Sequence, residues 1–173
     1  MRYVSVISGV VAALAFAATA SAGSVEDKAE VTVGGAELSE VNVAIDISEK
    51  TFHITKGGTE RGFTLMAGMP TVIQLRNRDL VAHEFVSTLF RDVPFRISGN
   101  ATLVKTARAS GVRVDPGQTV TLEFNAPLAK EDQNGAVQSS YDVFWCNVHG
   151  KEHGQKMRGE LLIIETTGEI GGG

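Results

Sequence analysis

The chain has a single cysteine, Cys146, so no internal disulfide can close. No run of like charges is long enough to grip nucleic acid, and 16 basic residues stand against 20 acidic ones, a formal net charge of −4. Nothing resembles a Ser-His-Asp arrangement or a zinc-hydrolase signature, which leaves hydrolysis without a nucleophile or an activated water. There is no internal repeat and no composition break that would mark a second folded domain.

The N-terminus carries an address rather than a fold. Arg2 supplies a positive start, Val4 to Ala18 is apolar and rich in small residues, and Ala20-Ser21-Ala22 has the small-x-small pattern of a cleavage site. Residues 1–22 therefore read as a signal peptide, with Gly23 as the mature N-terminus and a periplasmic or otherwise exported destination. The apolar run is short for a span of roughly 20 residues, and no charged stop-transfer segment follows, so no stable membrane insertion is expected after cleavage. What remains, about 150 residues, is the size of one domain with a proper core. In an oxidising compartment an unpaired thiol is a liability unless it is buried as packing or occupied by chemistry.

The rest of the chain alternates with period two, the pattern of half-buried strands. Residues 23–35 are a polar lead-in or an initial short strand. Strands are expected at 41–47, 52–55, 71–76, 84–88, 119–124, 144–146 and 160–165, separated by turn signals such as Lys56-Gly57-Gly58 and Asp115-Pro116-Gly117-Gln118. Seven or eight short strands imply an all-β, antiparallel Greek-key sandwich or barrel. A short helical segment is expected at 100–108, and residues 167–173 form a flexible tail.

Soft metal donors concentrate late in the chain. Cys146, His149, His153 and Met157 fall within Tyr141–Gly159, where an apolar run, Val143-Phe144-Trp145, leads into a polar loop. Thiolate, imidazole and thioether together suit soft transition metals, copper first. Of the two aromatic residues beside the cysteine, one must face the core while the other lies under the loop or at its rim. A buried structural cysteine is the alternative, but the histidine three residues on argues against it. His83, where a polar turn gives way to a strand, becomes a ligand candidate because a Cys-x-x-His loop leaves another strand end. His53, Met66 and Met69 are further soft donors, readable as a second metal site or as ordinary strand-face and packing residues.

The pairing of Asn77-x-Asp79-x-x-x-His83-Glu84-Phe85 with Phe144-x-Cys146-x-x-His149 and Met157-x-Gly159 resembles the cupredoxins, the small exported blue-copper proteins. The resemblance spans residues 36–166, taken as the cupredoxin domain, and includes the strand following Asp115-Pro116-Gly117. It implies one copper ion cycling between Cu(I) and Cu(II), with His83, Cys146 and His149 as equatorial ligands and Met157 as a weak axial one. It implies a monomer that passes one electron between redox partners, a cytochrome or an oxidoreductase, rather than an enzyme with catalytic residues of its own.

Two departures from the family pattern keep alternatives open. The loop from His149 to Met157 is longer than usual, and His153 inside it could replace Met157 as the axial ligand. Should neither coordinate, an open position would admit small-molecule chemistry. The residue after the first histidine is Glu84, where familiar cupredoxins often have an asparagine that ties the two ligand loops together. An ionised carboxylate cannot donate that hydrogen bond, so Glu84 reads first as a surface charge. His153, Glu84 and the Met66/Met69 pair would favour a second class of function, metal handling, as in copper delivery or an iron-uptake system.

Overall fold

The computed structural model describes residues 40–131, 133–134, 137–150 and 154–165. Residues 1–22, read as a signal peptide, the 23–35 lead-in, His153 and the segment 167–173 lie outside the described residues. Strands β1 (Val43–Ser48), β2 (Thr51–Lys56), β3 (Gly58–Thr59), β4 (Gly62–Met66), β5 (Pro70–Asn77) and β6 (His83–Ser87) come first. A single helical turn, α1 (Leu89–Asp92), leads into β7 (Arg96–Ser98), β8 (Thr102–Lys105), β9 (Ser110–Val114) and β10 (Thr119–Asn125). The short pair β11 (Lys130–Glu131) and β12 (Val137–Gln138) precedes β13 (Ser140–Trp145) and β14 (Arg158–Ile164).

The strands form a Greek-key sandwich of two sheets. One runs β2-β1-β5-β10-β7 and the other β3-β4-β14-β13-β6-β9-β8, with β11 and β12 paired separately. Two pairings are parallel, β1 with β5 and β4 with β14, so the sheets are mixed rather than wholly antiparallel as expected. The cause is the crossover: the chain leaves the first sheet after β2, lays β3 and β4 on the second, then returns to set β5 beside β1.

Alternation decides which faces meet. In β1, Val43, Ile45 and Ile47 are buried; in β10, Val120, Leu122 and Phe124 are. They face Phe63, Leu65, Phe85, Val112, Val114, Phe144, Leu161 and Ile163 of the other sheet across one core. Phe52 reaches over to Phe85 and Phe144, edge-on at 5.8 and 5.6 Å between ring centroids, and Phe63 stacks on Phe144 at 5.2 Å. Such pairs each add roughly 0.5–1.5 kcal/mol beyond area burial.

The expected helix at 100–108 is not there. Thr102–Lys105 is instead an edge strand paired with β9, Leu103 lying opposite Val112. The hairpin closes at Thr106, whose hydroxyl accepts from the Arg108 and Ala109 N–H groups. Cross-strand pairing of the β-branched Thr102 and Val104 outweighs the local helical tendency of the alanines around them. The one α-helix among the described residues is α1, at the corner after β6.

Candidate metal centre

Three predicted ligands meet at one end of the sandwich. His83 opens β6, opposite Val114 of β9, and is fully buried. Cys146 follows the last residue of β13, also fully buried, and its N–H donates to the Met157 carbonyl at 2.9 Å. The Gly150 N–H donates back to the Cys146 carbonyl at 2.7 Å, closing a tight turn that returns His149 toward the thiol. His149 Nδ1 lies 3.7 Å from Cys146 Sγ and 3.0 Å from His83 Nδ1. One donor atom from each of the three side chains lies within 4.8 Å of the others.

Asp79 sets the orientation of His83. Its Oδ2 accepts from His83 Nε2 at 2.8 Å. Burial works to raise the Asp79 pKa, but the Lys50 and Glu49 N–H groups and His83 outweigh it and hold the carboxyl below its ordinary value. An ionised carboxylate only accepts, so Nε2 carries a proton, and in the neutral imidazole Nδ1 then presents its lone pair toward His149 and Cys146. A carboxylate behind the far nitrogen of a histidine is the usual way to fix ligand tautomer and basicity.

The thiol is placed just as deliberately. The Glu84 N–H points at Cys146 Sγ at 3.4 Å. Asn147 Nδ2 donates to Glu84 Oε2 at 2.8 Å, and Asn147 Oδ1 accepts from Trp145 Nε1 at 2.7 Å. Glu84 is therefore more than a surface charge: it ties the β5–β6 segment to the cysteine loop. Phe144 is the aromatic neighbour that faces the core, and half-buried Trp145 is the one at the rim.

The remaining candidates fall in different places. Met157, fully buried, closes a 3-10 turn and packs in the same core cluster as Cys146. His153 lies outside the described residues. His53 lines a groove of about 1020 Å³ with Arg61, Lys156, Arg158 and Glu160. Met66 lies opposite Ile164, four residues along β14 from Glu160, or roughly 13 Å at the rise of a strand. The structure does not bring His53 together with Met66 and Met69. Sequence reading gave no role to Asp79 or Asn147; the signals were an aspartate four residues before the histidine and an asparagine directly after the cysteine.

A thiolate and two imidazoles fit copper chemically, and the buried, converging arrangement of their donor atoms fits a bound ion. Fold and site together define a cupredoxin-like β-sandwich with a His-Cys-His group. No protein-family model matches the chain, and no curated protein matches it. Among solved structures it is similar to auracyanin A, a "blue" copper protein from the green photosynthetic bacterium Chloroflexus aurantiacus, at 16% identity and a TM-score of 0.44, over 72% of this chain and 98% of that one. It is similar to amicyanin from Paracoccus versutus at 13% identity and a TM-score of 0.39, over 75% and 85% of the two chains. The McoA multicopper oxidase of Aquifex aeolicus is similar at 12% identity and a TM-score of 0.47, over 77% of this chain and 31% of that one.

Proposed function

We propose that the protein is an exported one-electron carrier in which His83, Cys146 and His149, together with Met157, would hold a copper ion. The observation that carries this reading is the convergence of His83 Nδ1, His149 Nδ1 and Cys146 Sγ at a buried sheet end, with Asp79 fixing the imidazole. Copper bound there supplies a Cu(I)/Cu(II) couple. The chain's own part is to exclude water from Cys146 and His83, both fully buried, and to hold the sulfur against the Glu84 N–H. Preset ligands need little rearrangement when the charge changes, which favours fast transfer.

His149, less buried than the other two, offers the route in and out. The loops that carry His83 and His149 expose apolar side chains: Leu80 is 94% exposed, and Val81 and Val148 are 43% and 49% exposed. A rim of this kind supports brief docking of a redox partner, a cytochrome or an oxidoreductase, without a permanent complex. The N-terminal segment supports export to the periplasm. No helix among the described residues is long and apolar enough to cross a membrane.

The test is the visible and EPR spectrum of the full chain with one equivalent of Cu(II), repeated on Cys146→Ser. An intense thiolate-to-copper band with narrow hyperfine splitting, lost in the variant, is the expected result. Absence of any thiolate band in the parent protein sinks the reading. Copper delivery is the second reading, supported by two exposed thioethers, Met66 and Met69, on one turn closed by a 3.2 Å bond from the Met69 N–H to the Met66 carbonyl. Rapid loss of Cu(I) to a chelator, matched by slow electron exchange, would favour it.

A further inference from the structure

The turn between β1 and β2 contains no glycine, yet both of its loop residues are left-handed: Glu49 and Lys50 each have φ of 52°. Ser48 pairs with Thr51, so these two residues make up the whole loop. Hairpin turns with two positive φ angles ordinarily recruit asparagine and glycine, because a Cβ crowds the carbonyl in that conformation. Something outside the turn must hold it.

That something is Asp79. The Glu49 N–H donates to its Oδ1 at 2.7 Å and the Lys50 N–H to its Oδ2 at 3.0 Å. The same Oδ2 accepts from His83 Nε2. Asp79 is seated in turn by its own N–H on Asn77 Oδ1 at 3.0 Å. Asn77, almost fully buried, donates to the Val81 and Val114 carbonyls at 2.8 and 3.0 Å. One carboxylate thus joins an uncommon backbone turn to a metal-ligand candidate in the other sheet.

We infer that the Glu49–Lys50 turn and Asp79 form a single positioning device for His83: the two turn N–H groups fix the carboxylate, and the carboxylate fixes the imidazole. The inference rests on the reading of His83 as a copper ligand. Asp79 is the positioning residue, and Glu49 and Lys50 act through it by their backbone conformation. Residue type at position 50 then acts on the site through the backbone conformation it permits. Glycine and asparagine accept a positive φ easily, alanine less so, and β-branched valine least. A turn that abandons the conformation withdraws its donors and leaves the carboxylate free to swing.

The experiment is a graded series on the full chain, Lys50→Gly, Lys50→Asn, Lys50→Ala and Lys50→Val, together with Asp79→Asn. Long-range proton–nitrogen NMR of the metal-free protein reads the His83 tautomer, and a Cu(II) titration reads affinity. The parent, Lys50→Gly and Lys50→Asn should show one tautomer, protonated at Nε2. Lys50→Val and Asp79→Asn should show a mixture, with Cu(II) bound about 10–100-fold more weakly. The double variant Asp79→Asn with Lys50→Val should bind no more weakly than Asp79→Asn alone, since the device is already cut. Should Lys50→Val fail to fold, Lys50→Ala takes its place, with an intermediate effect expected. An unchanged tautomer and unchanged Cu(II) affinity in the folded member of that pair, despite a lower unfolding temperature, overturns the inference and makes the turn merely structural. A tautomer that shifts along the series while no variant, nor the parent, shows a thiolate band upholds the device and removes the copper reading instead.

Discussion

Glu84 ties the two candidate-ligand loops together by accepting from Asn147. Here the amide sits on the cysteine loop, at Asn147, and the acceptor sits beside the first histidine. Because Asn147 also accepts from Trp145 Nε1, it holds both sides of the thiol-bearing segment. Asn147→Ala should therefore cost about 1–2 kcal/mol, the worth of one hydrogen bond to a charged group and a share of a neutral one. Trp145 is the only tryptophan, so its fluorescence reports on the tie directly. The expected outcome is a shifted emission maximum and a lower urea midpoint in Asn147→Ala. Glu84→Gln, which keeps an acceptor oxygen, should change both far less. Equal effects from the two would mean that the charge on Glu84, not the bridge, is what the fold uses.

Among the elements, the pair β13 and β14 is closely constrained, because the candidate metal loop is strung between them. Gly159 lies opposite Phe144 in register, and a Cβ there would fall 2.1 Å from Phe144 Cζ. The ring cannot step aside freely, since Phe52, Phe63 and Phe85 all pack against it. Gly159→Ala should lower the urea midpoint with an unchanged slope, by an amount at or above the upper end of the ~1–3 kcal/mol typical of overpacking. Combining it with Phe144→Leu should recover part of the loss. No recovery would place the strain in the β14 backbone instead of the ring.

The same pair of strands shows what the sequence makes legible. Cys146, His149 and Met157 sit on one continuous stretch, so their spacing announces the site, and His83 needs only a strand start to join them. The strands at 43–48, 119–125 and 158–164 show because one buried face imposes strict alternation. β8 does not: at the edge of its sheet it has only Leu103 and Val104 half-buried, adjacent to each other, and no period-two signal survives. β4 was hidden because Gly62 and Phe63 are buried side by side, one against the Glu160 backbone and one in the core. The hold of the Glu49–Lys50 turn on Asp79, and of Asn147 on Glu84, joins loops far apart in sequence, which spacing alone does not encode.

At the scale of the molecule, the candidate site lies at one end of the sandwich, where exposed apolar side chains stand beside the polar tie between Glu84 and Asn147. The β5–β6 loop presents Leu80 and Val81, and the cysteine loop presents Val148 next to His149. If electrons pass through this apolar rim, two copies of the protein should exchange electrons through it as well, bringing rim against rim. A charge placed there opposes itself in the encounter, and the low dielectric of a closing apolar contact sharpens the repulsion. Leu80→Glu, at a position 94% exposed, should leave folding and the copper spectrum untouched. It should slow electron self-exchange, read from NMR line broadening in mixtures of Cu(I) and Cu(II) protein, by about tenfold or more. Raising the ionic strength should recover much of the rate, because exposed charges are screened within roughly 10 Å at 0.1 M salt. The same substitution at Leu128, 77% exposed but after β10 at the opposite end, is the control and should change nothing. A rate that falls equally for both would mean that net charge alone sets the encounter, and that the surface around His149 is not the port.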